Sequence, residues 1–383
     1  MRILFCVGDA SGDLYASLLI PRIRDRQPDV QFSGLGGHMM QQSGANLLVL
    51  SNRWSSIGLL PSLRAAASPE AWGMYKQLKK SLRENPPDVF VPVDFGAVNT
   101  RLIAYATKHN VKTVYYVPRS FFTASPRKIR RLVSKNVQIV PIFEWQLNAY
   151  RNQGGQTHYF GHPLLDTLPS SPNREEVRAQ LNVGRGPLVA LLPGSRHMEV
   201  RDHLPIMLNA ARLVRQRIPD VEFLCACAPS VRQGMINVIV KRYGNDLGIR
   251  LVTDGAAKAL AASDAAILEM GTVALEAACL DVPSIAIFWT GATNRLQAHM
   301  IRRKWQREFY ALPNMILGRM AMPELIIWTC SPERIATGIV DLLTNDNARL
   351  KMLHDFEEVR SSLGEPGVSD KVANLILQTA NAH

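Results

Sequence analysis

One segment carries residue types that suit phosphate binding: Pro193-Gly194-Ser195-Arg196, which follows the apolar run Leu188–Leu192. Its glycine allows close approach of the backbone, while Ser195 and free N–H groups of the turn can bind an anion. Arg196 adds a forked cation that matches phosphate geometry. The alternative is an ordinary strand-to-helix turn with a solvated arginine. Glu199, three residues on, either anchors the arginine or the loop, or faces water.

A second glycine turn of this kind lies at Gly271-Thr272, after the apolar residues 265–268. We expect it to open a helix, where backbone N–H groups and the helix dipole favour a phosphate. Glu276, one turn further, is placed to accept hydrogen bonds from ribose hydroxyls. The alternative is purely structural, with Thr272 as an N-cap and Glu276 as a first-turn charge.

Two further side chains are candidates for proton transfer. Asp94 follows the run Val89–Val93, and a carboxylate at the carboxyl end of a parallel strand lies where a general base belongs. Capping of the next turn is an equally good interpretation of Asp94. His162 lies in a Gly-His-Pro loop, where most histidines only satisfy a turn.

The composition limits the class of protein. The 383 residues include 44 Lys and Arg against 32 Asp and Glu, which gives a net charge of +12. Hydrophobic residues make up 47% of the sequence. These values are typical of a globular chain with a basic excess and argue against a disordered, collagen-like or coiled-coil protein. Five scattered cysteines fit neither a disulfide framework nor a zinc array and indicate a reducing compartment. Charges and a proline interrupt the longest apolar stretch, so we predict no membrane span.

Short β-branched or aromatic runs alternate with helical patterns, which predicts parallel βαβ units and an α/β fold. The predicted strands are residues 3–7, 89–93, 113–117, 138–142, 188–192, 222–226, 249–252, 265–268 and 284–288. The predicted helices are residues 14–26, 72–84, 100–109, 127–134, 205–217, 231–243 and 272–280.

Two of the units in which a strand is followed by a glycine turn and a helix, at Gly8 and at Gly194, are each expected to open a doubly wound domain. A Pro- and Ser-rich stretch, residues 168–173, lies between them and is typical of a linker. We therefore predict two Rossmann-like domains, residues 1–168 and 174–345, that face each other across a cleft. Residues 346–383 are predicted to form a helical tail, with packing back on the first domain as one option.

Two segments are strongly basic: residues 119–135 and 295–307. The second places Arg302, Arg303 and Lys304 next to Trp305 and other apolar residues, an amphipathic pattern suited to an anionic membrane surface. A solvated basic helix over an apolar core gives the same pattern. Nucleic acid would also meet this charge, but the sequence has no recognised DNA- or RNA-binding module, so we predict no nucleic-acid partner.

Taken together and in order, these motifs resemble the lipid-A-disaccharide synthase family, whose members are inverting glycosyltransferases of the GT-B fold. The likeness extends over essentially the whole chain. Its segments are residues 8–13, 36–40, 57–58, 141–144, 160–166, 191–196 with Glu199, 271–276, 312–314 and 323–325.

The resemblance implies an α/β fold of GT-B type, with two Rossmann-like doubly wound domains, and a hexosyltransferase activity. It implies transfer of a diacylglucosamine from UDP-2,3-diacylglucosamine to 2,3-diacylglucosamine 1-phosphate, which forms the β-1,6 disaccharide of lipid A in lipopolysaccharide biosynthesis. The implied partners are a UDP-linked acylated sugar donor, a lipid acceptor and an anionic membrane surface, with no cofactor and no metal. The expected location is peripheral, on the cytoplasmic face of the bacterial inner membrane. The oligomeric state stays open, a homodimer included.

The family's roles can be carried over residue by residue, with the acceptor assigned to the first domain and the UDP-sugar donor to the second. Asp94 becomes the catalytic base. The donor-binding residues become Gly194, Ser195, Arg196, Glu199, Gly271, Thr272, Glu276 and Asn314. The acceptor side and its loops hold Ser11, Asn99, Glu144 and His162. The membrane contacts are Arg302, Arg303, Lys304 and Trp305.

Two segments depart from the family pattern. The family's Asp-x-Pro-Asp-Phe-Asn is Asp94-Phe95-Gly96-Ala97-Val98-Asn99 here, which keeps the first Asp and the Asn but loses the Pro and the second Asp. Residues 118–127 lack the family's Trp-Ala-Trp-Arg stretch, and this loop is expected to border the acceptor site. Three alternatives therefore stay open: a diverged paralogue with another lipid or sugar acceptor, a UDP-sugar 2-epimerase of the same fold, and a non-catalytic lipid-binding relic.

Overall fold

The computed structural model describes residues 1–50, 69–118, 126–133, 137–168, 173–289 and 308–382. The chain divides into two units, one formed by Met1–Thr167 with Leu363–His383 and the other by Leu168–Ser362. None of the described helices is long and apolar enough to cross a membrane.

The first unit is built on a seven-stranded sheet. Its strands are β1 (Arg2–Val7), β2 (Gln31–Gly36), β3 (Asn46–Leu50), β4 (Val89–Val93), β5 (Val114–Tyr116), β6 (Gln138–Val140) and β7 (Gln156–Thr157). All neighbouring pairs are parallel, in the order β3-β2-β1-β4-β5-β6-β7. The order reverses between β1 and β4, and doubly wound sheets bind ligands beyond the carboxyl ends of the strands at such a point.

The second unit repeats this design with six strands. They are β8 (Leu188–Leu192), β9 (Glu222–Ala226), β10 (Arg250–Val252), β11 (Ala265–Glu269), β12 (Ser284–Phe288) and β13 (Glu324–Ile326). All pairs are parallel, in the order β10-β9-β8-β11-β12-β13, which is the strand order of the Rossmann fold. Here the reversal lies between β8 and β11, the two strands that precede the glycine turns. The α/β, doubly wound fold class is confirmed.

Helices follow most of the strands. They are α1 (Ala10–Arg26), α2 (His38–Gln42), α3 (Pro69–Glu84), α4 (Gly96–Lys108), α5 (Pro126–Val133), α6 (Glu144–Arg151), α7 (Arg174–Gln180), α8 (His197–Arg217), α9 (Gln233–Tyr243), α10 (Ala256–Ala262), α11 (Val273–Cys279), α12 (Leu312–Leu317), α13 (Pro332–Thr344), α14 (Asp346–Ser362) and α15 (Val368–Asn381). A short 3-10 helix covers Pro163–Asp166.

Central strands are buried on both faces, as expected for parallel sheets covered by helices on both sides. In β1 every residue after Arg2 is buried, and β4, β8 and β11 are buried along their whole length. This burial explains why the sequence shows continuous apolar runs rather than alternation. The ends of these strands are therefore fixed points from which the functional loops begin.

All nine predicted strands are present, and their ends agree within two residues. Four strands, β2, β3, β7 and β13, have no counterpart in the sequence prediction. In β2, Gly34 has φ +136, and a Cβ there would lie 2.0 Å from the carbonyl oxygen of Phe5. The close approach of β1 requires glycine at this position, and glycine weakens the pattern by which a strand is recognised.

The predicted start of the helix after β8 is wrong. The sequence placed it near Pro205, but α8 begins at His197 and Pro205 lies inside it. The earlier start is stabilised by Glu199, whose carboxylate accepts hydrogen bonds from the backbone N–H groups of Ser195 and Arg196. These are orphan donors of the helix N-terminus, and a negative side chain there is favourable.

The predicted helical tail, residues 346–383, contains two helices, Asp346–Ser362 and Val368–Asn381, that belong to different units. α14 packs on α11 and α13 in the second unit, whereas α15 packs on α1 in the first. Asp370 of α15 forms ion pairs with Arg22 (3.0 Å) and Arg26 (2.7 Å) of α1. The carboxylate of Asp166 also accepts a hydrogen bond from the N–H of Ser369 (2.6 Å), which fixes the start of α15.

Candidate active site

The turn after β8 is organised by one buried carboxylate. Glu199 is 5% exposed, and its Oε2 accepts hydrogen bonds from the N–H groups of Ser195 (2.9 Å) and Arg196 (3.0 Å). Its Oε1 binds Nη1 of Arg196 at 2.5 Å. Gly194 has φ +119, and a Cβ there would lie 2.6 Å from Oε2 of Glu199. Glu199 is thus the anchor of both the loop and the arginine, and Gly194 leaves the room it needs.

This arrangement corrects one expectation about the turn. The backbone N–H groups of Ser195 and Arg196 are not free to bind an anion, because Glu199 occupies both. What the turn offers instead is the guanidinium of Arg196, held by the ion pair with Glu199 and still 30% exposed. The carbonyl oxygen of Ser195 accepts a hydrogen bond from Ser230 Oγ (2.5 Å), which ties the turn to the loop after β9.

The second turn follows β11, the neighbour of β8 in the sheet, so both turns lie at the same edge. Gly271 and Thr272 lead into α11, and the Thr272 side chain makes no capping hydrogen bond. Glu276 is half-buried in α11, and burial raises the pKa of its carboxyl to about 7. Thr272 is the N-cap residue of α11 and Glu276 lies in its first turn, as the structural alternative stated, although no capping hydrogen bond comes from the Thr272 side chain.

Sequence reasoning missed Glu269, the last residue of β11. It is 9% exposed, and a Cβ on Gly271 would lie 2.7 Å from its Oε2. Burial first, and then the charge of Glu199, raise the pKa of Glu269 to about 8, while Arg196 acts in the opposite direction. The available signal was a carboxylate that directly continues an apolar run just before a glycine turn.

In the first unit, Asp94 follows β4 in a backbone conformation that is rare for residues other than glycine, with φ +46. Its N–H donates to the carbonyl oxygens of Tyr116 (3.2 Å) and Val117 (3.1 Å). Nδ2 of the buried Asn99 donates to the carbonyl oxygens of Asp94 (2.9 Å) and Cys6 (3.1 Å). Asn99 therefore fixes the ends of β1 and β4 and the backbone of Asp94.

The other acceptor-side candidates differ in their surroundings. His162 is fully buried, its Nδ1 accepts a hydrogen bond from the N–H of Leu164 (3.1 Å), and burial lowers its pKa to about 3. Its side chain thus accepts a hydrogen bond within its own turn, which agrees with the structural interpretation of this histidine. Ser11 is half-buried at the start of α1, with Oγ 3.4 Å from Oδ1 of Asp9, and Glu144 is exposed at the start of α6.

A carboxylate in α1 is another residue that the sequence did not reveal. Asp13 is buried and accepts hydrogen bonds from the N–H groups of Gly37 (2.7 Å), Met39 (3.0 Å) and Met40 (3.3 Å). It ties the glycine loop after β2 to α1. Asp13 ends the segment 8–13 that resembles the family, and this position is thus a structural anchor.

Asn314 is fully buried in α12 and uses its amide within the second unit. Its Oδ1 accepts from the N–H groups of Ala321 (2.7 Å) and Met322 (2.9 Å), and its Nδ2 donates to Oε2 of Glu324 (3.0 Å). These bonds hold the loop between α12 and β13. Arg302, Arg303, Lys304 and Trp305 lie outside the described residues, as do residues 57–58 and 119–125.

The comparison with known families decides the assignment. The family model described as lipid-A-disaccharide synthetase matches residues 3–378. The chain belongs to this family. A lipid-A-disaccharide synthase of Gloeothece citriformis is 32% identical over 387 residues, covering 98% of this chain and 99% of the relative. One of Chromobacterium violaceum is 30% identical and covers 100% of this chain and 98% of the relative. The chain is therefore a glycosyltransferase of lipid A biosynthesis.

Solved structures of other proteins align with the fold of this lipid-A-disaccharide synthase family member. The UDP-GlcNAc 2-epimerase of Neisseria meningitidis, bound to UDP-GlcNAc, aligns with a TM-score of 0.65 at 11% identity, over 99% of this chain and 100% of its own. WaaG, a glycosyltransferase involved in lipopolysaccharide biosynthesis, aligns with a TM-score of 0.54 at 11% identity, over 98% and 99%. Anabaena HepE, in complex with UDP-glucose, aligns with a TM-score of 0.55 at 14% identity, over 99% and 100%. The GT-B fold is confirmed.

Proposed function

We propose that this enzyme transfers a diacylglucosamine from UDP-2,3-diacylglucosamine to the 6-hydroxyl of 2,3-diacylglucosamine 1-phosphate, with inversion at the anomeric carbon. The observation that carries the proposal is the match to the synthase family over residues 3–378. The product is the β-1,6 disaccharide of lipid A. The residues of each unit supply separate support for the donor and for the chemical step.

The second unit is the proposed donor domain. Arg196 is held in one orientation by Glu199, and a cation that is already ordered loses little entropy when it binds a phosphate. Glu276, in the first turn of α11 after the neighbouring glycine turn, is the proposed acceptor of hydrogen bonds from the ribose hydroxyls. Two structures of the same fold carry UDP-sugars, those of the Neisseria epimerase and of HepE, which supports a UDP-sugar as the ligand.

The proposed chemical step uses Asp94 as the general base. Its carboxylate takes the proton of the acceptor hydroxyl, and the oxygen attacks the anomeric carbon on the face opposite UDP. The bond between that carbon and the diphosphate breaks, and UDP leaves with the bonding electrons, stabilised by Arg196. The positive φ of Asp94, fixed by Asn99 and β5, supports this role because such uncommon backbone conformations cluster at functional sites.

A second candidate is the same transfer to another lipid or sugar acceptor. It is favoured by the altered segment after Asp94, where Phe95 also has φ +46. The ring of Phe95 comes within 1.9 Å of the place that a Cβ on Gly8 would take, so the ring covers this glycine turn. The family's second carboxylate is replaced by Ala97, which changes the groups available to a polar acceptor.

One experiment separates these functions. The purified protein is incubated with UDP-diacylglucosamine and a panel of lipid acceptors, and the products are read by mass spectrometry. We expect a disaccharide 1-phosphate from the glucosamine 1-phosphate acceptor. A product from another acceptor alone would establish the second candidate, and conversion of UDP-N-acetylglucosamine without lipid would establish an epimerase. If no acceptor leads to release of UDP, the protein is the non-catalytic, lipid-binding relic.

Arg196→Ala should weaken UDP binding by about 1.5–3 kcal/mol, the range for losing a hydrogen bond to a charged group. Titration calorimetry with UDP measures the change. The matched control is Arg201→Ala in the next turn of α8, because that side chain is 59% exposed and pairs with Asp202. Identical UDP titrations of wild type and Arg196→Ala would show that the donor assignment is wrong.

Peripheral membrane attachment is proposed from the basic, apolar run at residues 295–307 and the net charge of +12. Each basic residue near an anionic leaflet contributes about 1 kcal/mol, and salt weakens this part of the attraction. We expect binding to liposomes that contain anionic lipid, reduced but not abolished by high salt, because the apolar residues insert. Changing Arg302, Arg303 and Lys304 to Glu should lower it.

The matched control changes three exposed basic residues of the second unit to Glu: Arg232, Lys241 and Arg242. This triple variant carries the same change of charge at another place, so its liposome binding should stay closer to that of the wild type. Equal binding to neutral and anionic liposomes, or no binding to either, would leave the run as a solvated face.

A further inference from the structure

Glu269 is a buried carboxyl that the proposed reaction leaves without a role. It is 9% exposed, and within the described part of the chain its side chain makes no hydrogen bond or ion pair. A nearly buried acid without a partner is costly, and such a group calls for a ligand or a function.

The carboxyl lies between the two glycine turns of the second unit. Glu269 ends β11, and β11 pairs with β8, after which the Arg196 turn begins. Its Oε2 is 2.7 Å from the place that a Cβ on Gly271 would take, so glycine there leaves room for the acid. Gly194, in the turn after the neighbouring strand β8, has the same relation to Glu199 of α8. The acid therefore faces the proposed diphosphate site.

The charges around Glu269 favour its neutral form. From the start of α8 it meets Glu199, which disfavours a second negative charge, and Arg196, whose own ion pair is with Glu199. In the neighbouring strand β12, the residue paired with Glu269 is the apolar Ile287. The remaining acid nearby in sequence is Glu276 of α11. Burial and Glu199 raise the pKa of Glu269 to about 8, so at pH 7 it is a hydrogen-bond donor.

We propose that Glu269 is a UDP-binding residue of the donor site, which donates a hydrogen bond from its neutral carboxyl to a diphosphate oxygen of UDP. The inference rests on the proposed donor domain. An ionised carboxylate at this position would face the diphosphate with like charge, so the protonated form binds UDP and the ionised form rejects it.

The test is the affinity for UDP at pH 7 and pH 9. An acid with a pKa of about 8 is mostly protonated at pH 7 and mostly ionised at pH 9, and the protonated fraction falls about tenfold between them. The dissociation constant of wild type for UDP should rise by about that factor. Glu269→Gln keeps a donor and cannot ionise, so it should lose this pH dependence. Glu269→Met, without a donor, should bind weakly at both pH values.

UDP itself and Glu276 also ionise, but they do so in wild type and in every Glu269 variant. Their effect on UDP affinity therefore cancels when the pH profiles are compared. The matched control is Glu175→Gln, which removes an exposed carboxylate of α7 and should keep the wild-type pH profile. The same pH profile for wild type and Glu269→Gln would overturn the inference and leave the donor site in place. Failure of wild type to bind UDP at pH 7 would overturn the donor site, and the inference with it.

Discussion

Asp94→Asn should lower turnover by about 100-fold or more and leave the affinity for UDP near the wild-type value. The change keeps the shape of the side chain, and Asn tolerates the positive φ of this position, but the amide cannot take a proton. Release of UDP in the presence of acceptor gives the turnover, and calorimetry with UDP gives the affinity. Loss of turnover with unchanged affinity for UDP identifies a base, whereas a residue that only supports the fold would affect both.

Asp88→Asn is the matched control for this variant. Asp88 is exposed immediately before β4, at the other end of the strand that leads to Asp94, and binds the N–H of Arg2. Its replacement should leave turnover unchanged. If Asp94→Asn retains most of its activity, the base lies elsewhere. Of the two other candidates, the exposed Glu144 would then take precedence over His162, which is fully buried.

The fold was largely predictable because its central strands are buried on both faces. Continuous apolar runs such as Val89–Val93 and Leu188–Leu192 identify parallel strands without further information. The strands β2 and β3 lie toward one edge of the first sheet, and β2 includes Gly34, whose need for glycine arises only when β1 packs against it. Such a requirement is a property of the assembled sheet and has no local pattern.

The residue types of the donor site could be predicted, but their connections could not. The sequence left open whether Glu199 anchors the loop or faces water, because that depends on whether the side chain turns back to its own helix N-terminus. It also placed the start of α8 near Pro205, since the capping role of Glu199 was not visible. Glu269 is a charge at the end of a predicted strand, and its burial arises only in the assembled sheet, where β11 pairs with β8 and β12.

Glu199→Ala should lower the free energy of unfolding by about 2–4 kcal/mol and also weaken UDP binding. The variant leaves the N–H groups of Ser195 and Arg196 without their acceptor and removes the carboxylate that binds Nη1 of Arg196. Unpaired groups of this kind cost about 1–3 kcal/mol each when buried, and the total is smaller here because Arg196 is 30% exposed. Thermal unfolding should show a midpoint lower by several degrees.

Two controls make this result specific. Glu175→Ala removes an exposed carboxylate of α7 and should change the free energy of unfolding by no more than about 0.5 kcal/mol. The double variant of Arg196 and Glu199 to Ala should be less destabilised than the sum of the single variants, because the two side chains share one ion pair. Strictly additive changes would mean that the pair contributes nothing. Glu199→Ala would also remove the negative charge that raises the pKa of Glu269 and leave the opposing charge of Arg196. This favours the ionised form of Glu269 and so adds to the loss of UDP affinity at pH 7.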